Sequence, residues 1–351
     1  MKITGINNKN IMFTQNQIYI YSDFDRTVSP NTTYDVLYAH DKNKIQKAKY
    51  NFDLINSLLN KYPKIKLFIT TGRSVSEIKT MHELYQRQNV DFVNADSIIV
   101  NEGSDEFLKS DDVSSNYPYQ KQNHVRKEQL YNKIGWDKDA IMKKLFNVLA
   151  YNNLQPLLCG TTLSAEKYGK YSAFSYPEQI HSNTVFIRDV GEYKLFLGFA
   201  KEIDNKKYDY VKRELLNYLD SVGLNYSILE KDADFKCADL RTLYIIPFVD
   251  GELLLKQYDI KEKLKEVDED DTVIIAGDGI NDYDMLNPET YKDKAKGEII
   301  SIVVRKDDEY EPELEAMVNN YQDTAQHKLI VINEGELADK VSEIAKQKYN
   351  Y

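Results

Sequence analysis

The chain is short of cysteine, of basic charge and of long apolar runs. Its two cysteines, Cys159 and Cys237, stand far apart with no CxxC and no Cys/His cluster beside them. That argues against a disulfide framework or a thiolate metal site and leaves both as structural thiols. No apolar stretch approaches the roughly 20 residues of a membrane helix, so no membrane partner is expected. The 46 Lys and Arg residues are outnumbered by 56 Asp and Glu, for a formal charge of −10. A nucleic-acid partner would demand the reverse, a basic face for its phosphates. Residues 1–16 are polar and hold no apolar signal core, so a cytoplasmic protein is expected, and the sequons at Asn31 and Asn225 mean nothing without secretion.

What is present is length and pattern. At 351 residues, 42% of them apolar and 29% charged, the chain can bury two cores. Apolar periodicity predicts a strand at 18–22, a helix at 44–61, a strand at 66–70, a helix at 74–88 and a strand at 97–100. Short Val/Ile/Leu strands separated by helices imply a parallel sheet covered on both faces. From about residue 104 the chain turns polar and rich in Tyr, Asn and Lys, followed by a helix at 137–150 and alternating segments at 184–188 and 193–197. Residues 109–245 are therefore expected to form a separate α/β insert, with 1–108 and 246–351 making up the parallel core. That core resumes with a helix from 251, strands at 272–276, 299–304 and 328–332, and a last helix from 336.

The chemistry gathers at predicted strand ends. The first strand runs into Asp23-Phe24-Asp25-Arg26-Thr27. Residues i and i+2 of a strand leave on one side, so Asp23 and Asp25 can face one reaction centre. Two carboxylates that close need a positive partner, and a divalent cation would let Asp23 stay an ionised nucleophile while Asp25 handles protons. A calcium loop starting at Asp23 fails, because it requires glycine where Val28 stands, glutamate where Tyr34 stands and a preceding helix. A second strand end carries Gly277-Asp278-Gly279-Ile280-Asn281-Asp282, whose glycines let the backbone turn sharply beside an ion or phosphate. Together these acids make a hard-oxygen site of the kind that suits Mg²⁺. At a third, Thr70-Thr71-Gly72-Arg73-Ser74 opens a helix. This segment is either an anion-binding corner or an ordinary cap, with Ser74 or Thr71 capping the helix and Arg73 solvated.

In this order the motifs resemble those of the haloacid dehalogenase superfamily of phosphatases, with a Rossmann-like core. The position of the insert, after the third strand, resembles the branch with a large α/β cap. Segments such as 96–107 and Gly135-Trp136-Asp137 resemble its sucrose-phosphate phosphatase and Cof-type members most. The resemblance implies that Asp23 attacks phosphorus, that Asp25 protonates the leaving oxygen and then activates water, and that Thr71 binds the phosphoryl oxygens. Thr27, Gly72, Arg73 and Asn281 join the implied phosphate-binding set. Mg²⁺ is implied at Asp23, the Asp25 carbonyl and Asp278, with Asp282 in support.

The family also has a lysine at the start of the helix after the cap. In this alignment Asp250 stands in its place, and Lys256, further along the same predicted helix, is the substitute. The expected function is a Mg²⁺-dependent phosphomonoester hydrolase acting on a small sugar phosphate, as a monomer or homodimer. A phosphomutase and a catalytically impaired phospho-ligand-binding protein are the alternatives. Cap tyrosines with His181, Asn183 and Arg241 are expected to line a sugar pocket. The segment 181–184 lacks the lysine that sucrose-phosphate phosphatases carry there, which argues against sucrose phosphate itself.

Overall fold

The computed structural model describes residues 16–32, 35–36, 41–110, 117–159, 172–173, 182–188, 190–235, 238–292, 296–305 and 312–349. Cys237 and His181 lie outside these residues, as does the side chain of Cys159. The chain begins β1 (Ile18–Ser22), α1 (Lys42–Lys61), β2 (Ile65–Thr70), α2 (Val75–Arg87), β3 (Ser97–Val100), β4 (Asp105–Leu108) and β5 (Lys121–Gln122). Next come α3 (His124–Ile134), α4 (Lys138–Tyr151), β6 (Gln155–Cys159), β7 (Ser172–Ala173), β8 (Thr184–Arg188), β9 (Leu195–Ala200), α5 (Asn205–Ser221), β10 (Tyr226–Phe235) and β11 (Ala238–Val249). It ends with β12 (Glu252–Leu253), α6 (Lys256–Leu264), β13 (Thr272–Gly277), α7 (Tyr283–Leu286), β14 (Glu298–Arg305), α8 (Pro312–Asn320), β15 (His327–Asn333) and α9 (Leu337–Tyr349).

Two sheets organise these elements. The first has the order β15-β14-β13-β1-β2-β3-β4-β5. The strands from β15 to β3 run parallel, and β4 and β5 are added antiparallel. Alternation along its strands serves two cores. Ile18, Ile20, Ile274 and Ala276 join Phe52, Tyr85 and Val341 of the helices on one face. Tyr21, Val273 and Ile275 join Ile260 and Leu264 of α6 on the other. This is the α/β architecture that the strand-helix alternation implies.

From β1 the chain proceeds through β2 and β3 on one side, while β13 to β15 extend the sheet on the other. The carboxyl ends of β1 and β13 therefore meet at a topological switch point, where open α/β sheets bind ligands. The second sheet has the order β10-β11-β9-β8-β6-β7. One of its faces buries Val185, Ile187, Leu195, Leu197, Leu243 and Ile245 with residues of α4 and α5. The opposite face carries Phe186, Phe196 and Leu240. Among the described residues no helix is long and apolar enough to cross a membrane.

One predicted element begins later than expected. The helix anticipated from 251 starts at Lys256, because β11 continues to Val249 and folds back on β12, pairing Val249 with Glu252 and Phe248 with Leu253. Asp250 and Gly251 form the two-residue turn, with φ of 52° and 84°. Asp-Gly is the preferred pair for a hairpin whose turn residues both have positive φ.

Arg126 ties α3, whose Leu130 and Ile134 pack in the core of the second sheet, to α6 on the first. Arg126 Nε lies 2.9 Å from Asp259 Oδ1 of α6, where the acid side chain is only 2% exposed. Arg126 also donates to the carbonyls of Gly103, at 2.5 Å, and Ser104, at 3.1 Å. Burial and the nearby Glu106 push the Asp259 carboxyl up, against Arg126 and Lys263. Replacing Arg126 with methionine is expected to lower stability by about 3–5 kcal/mol, because it strands a buried carboxylate. Thermal melting checks this, and an unchanged midpoint would contradict it.

Candidate active site

Four carboxylates leave two adjacent strand ends. Asp23 follows β1, and its N–H donates to the Ala276 carbonyl of β13 at 2.8 Å, fixing the two ends together. Ligand oxygens of Asp23, Asp278 and Asp282 converge within 4.8 Å of one another. Asp282 reaches back over the β13 turn, its Oδ2 accepting from the N–H groups of Asp278, at 3.2 Å, and Gly279, at 3.4 Å. A Cβ on Gly277 would sit 2.6 Å from that Oδ2, so only glycine allows the approach.

Lys256, the first residue of α6, inserts its ammonium between two of these acids. Nζ donates to Asp23 Oδ1 at 2.7 Å and to Asp282 Oδ1 at 2.6 Å, with the whole side chain 6% exposed. Asp250, the residue aligned with the family lysine, is instead exposed on its hairpin and paired with Lys133 at 2.5 Å. Of the two residues, it is Lys256, the expected substitute, that reaches the acids. The late start of α6 puts Lys256 at the head of the helix.

One ammonium does not neutralise the cluster. Burial raises the Asp23 carboxyl well above the usual carboxylate range, and repulsion from Asp282, Asp278 and Asp25 adds to this against the pull of Lys256. Burial and then Asp282 push Asp278 up to about 7, despite Arg26 and Lys256. Lys256 is raised, its burial being outweighed by Asp23 and Asp282. Three hard oxygen donors with unmet negative charge fit a divalent cation of the Mg²⁺ class.

The Asp25 carboxylate is outside the converging set. It accepts from Arg73 Nε at 2.8 Å. Arg73 is therefore not simply solvated, although Ser74 and Glu77 do form a capping box on α2. Thr71 is buried beside the cleft, its Oγ1 accepting from the Arg73 N–H at 3.2 Å. Gly72 and Asn281 also line this cleft, which holds about 320 Å³. Thr27 is fully buried and is not part of the cleft wall. Arg26, at φ 56°, holds a strained left-handed backbone between the two motif acids and Thr27.

The second sheet supplies Arg188, which the sequence did not single out, and Tyr244, one of the cap tyrosines. Arg188 and Tyr244 both stand opposite Phe196 in the β8-β9-β11 register, so the three share one face. Arg188 lines the cleft and donates to the Gly72 carbonyl at 3.2 Å. The Tyr244 hydroxyl donates to Glu102 Oε2 at 2.9 Å, and Glu102 also lines the cleft. Two residues expected in a sugar pocket lie elsewhere. Arg241 stacks 4.5 Å above the Tyr208 ring and bonds Asn205. Asn183 precedes β8, at the end opposite Arg188, about 16 Å away at the rise of a strand.

No protein-family model matches the chain, and comparison with curated proteins finds no match. Among solved structures it is similar to the sucrose-phosphatase of Synechocystis in complex with sucrose and phosphate, at 12% identity and a TM-score of 0.46, over 94% of this chain and 99% of that one. It is similar also to a haloacid dehalogenase-like hydrolase from Bacillus subtilis, at 15% identity and a TM-score of 0.49, over 97% of each chain. A third is the trehalose-6-phosphate phosphatase of Aspergillus fumigatus, at 13% identity and a TM-score of 0.46, over 96% of this chain and 94% of that one. Likeness at this distance transfers no activity, and the functional reading rests on the side chains described above.

Proposed function

We propose that the chain is a Mg²⁺-dependent phosphomonoester hydrolase of the haloacid dehalogenase type, acting through an aspartyl phosphate on a small sugar phosphate, with residues 109–245 as its cap. The observation that carries this reading is Lys256 bridging Asp23 and Asp282 beside Asp278 at the β1/β13 switch point.

In this reading an Asp23 carboxylate oxygen attacks phosphorus, and the bond from phosphorus to the ester oxygen breaks. Asp25, in its protonated form, gives its proton to the departing oxygen and then takes one from water. That water attacks phosphorus, releasing inorganic phosphate and restoring the Asp23 carboxylate. Lys256 and Thr71 stabilise charge on the transferring phosphoryl oxygens. Asp23, Asp278, Asp282 and the Asp25 carbonyl would hold the cation, whose bound form supplies electrostatic stabilisation of the same oxygens. A cleft of about 320 Å³ suits a small ester and lies at the low end of ligand sites.

Lys256 beside Asp23 supports the hydrolase over the impaired-protein alternative, whose motive was Asp250. The test is phosphate release from an aryl phosphate and a panel of sugar phosphates. Turnover is expected with Mg²⁺ and is expected to be abolished by chelator and restored by added Mg²⁺. Equal release in the two conditions would contradict the metal's role, and no release from any ester would contradict the hydrolase.

A further inference from the structure

We propose that Glu102 sets the specificity of this site, selecting phosphate esters whose leaving group is an uncharged polyol and rejecting those with a second anionic group. The inference rests on the phosphoryl-transfer reading of the cleft and adds to it the nature of the leaving group.

Glu102 shares the cleft wall with Asp23, Thr71 and Arg188. The turn that carries it is strained and clamped from several sides. Asn101 and Glu102 both have φ of 53°, and Gly103 follows at 91°. Consecutive left-handed residues of this kind persist only where their surroundings enforce them. Here the Asn101 N–H donates to the Arg73 carbonyl at 2.8 Å and the Glu102 N–H to the Thr71 carbonyl at 2.9 Å. A Cβ on Gly103 would meet the Leu255 carbonyl at 2.7 Å, so the turn also abuts the residue before Lys256.

From the second sheet, fully buried Lys194 donates to the carbonyls of Asn101, at 2.9 Å, and Glu102, at 2.8 Å. Lys194 thus grips the main chain, and the Glu102 carboxylate is left to Tyr244 and the cleft. Tyr244 engages one carboxylate oxygen, and an ionised carboxylate has acceptor capacity beyond one bond. Burial raises the Glu102 carboxyl, but Lys194, Lys256, Tyr244 and Arg188 outweigh it and hold the group below its ordinary range. A fixed, acceptor-only anion in the wall takes hydrogen bonds from hydroxyls and repels a carboxylate or a second phosphate.

The test is calorimetric binding of a hexose 6-phosphate and a hexose bisphosphate, in protein carrying Asp23→Asn so that turnover does not interfere. The neutral-tailed ester is expected to bind at least about ten-fold tighter, and adding Glu102→Gln to reduce that ratio about ten-fold or more. Tyr244→Phe, which only frees the carboxylate, is expected to reduce it less and guards against misfolding of the first variant. Equal binding of the two esters, a ratio unchanged by Glu102→Gln, or no binding of either ester would overturn the proposal. Phosphate release by the wild type is read separately, so the hydrolase reading and this selectivity fail or stand on different measurements.

Discussion

Asparagine at position 23 is expected to reduce Mg²⁺-dependent turnover by at least about 10⁴-fold, the scale seen when a nucleophile is removed from a catalytic unit. An amide oxygen is a poor nucleophile toward phosphorus, yet it can still accept the Lys256 hydrogen bond that Asp23 Oδ1 now takes at 2.7 Å. The fold should therefore survive. Because burial and three neighbouring acids disfavour charge on Asp23, the neutral side chain is expected to leave the melting temperature of metal-free protein unchanged or higher. A loss of activity with an unfolded variant would say nothing about chemistry, so the two readouts belong together. A variant that is folded and fully active would remove Asp23 from the mechanism.

Lys256→Met carries the second large effect. An ammonium 2.6–2.7 Å from two buried carboxylates is positioned to offset charge on both the nucleophile and the phosphoryl group. Its loss is expected to lower kcat by about 10²- to 10³-fold, as when one preorganised donor is deleted from a transition-state site. A purely structural lysine would change stability alone. The mechanism predicts a split instead: kcat falls while the Mg²⁺ concentration needed for half-maximal activity also falls, since three carboxylates lose their competing cation. Steady-state kinetics over a Mg²⁺ titration check both. A fall in melting temperature without the loss of kcat would assign Lys256 to folding.

How far these residues could be found in advance differs from one to another. Asp23, Asp25 and Asp278 were legible because each follows a short apolar strand, and a strand end in a parallel sheet is a defined place. Lys256 was legible only as a substitute further along a helix, because the apolar residues of 247–254 fit a helix as well as a hairpin. The discriminating signal was present in Asp250-Gly251, a pair whose positive φ values close β11 onto β12 and delay α6 to Lys256. Glu102 and Arg188 had no comparable signal, and Tyr244 was one among many cap tyrosines. Arg188 and Tyr244 come together through antiparallel register with Phe196, and Glu102 through a turn held by contacts from distant segments. Local pattern carries none of that information. The ion pair of Arg73 with Asp25 was hidden for the same reason.

The central claim, that Asp23 becomes covalently phosphorylated, is tested most directly by acid quench with a ³²P-labelled phosphomonoester in the presence of Mg²⁺. The account predicts a transient, hydroxylamine-labile label on the peptide containing Asp23, absent from Asp23→Asn protein. Burst-phase hydrolysis with no labelled protein, or a label on a different residue, would contradict it.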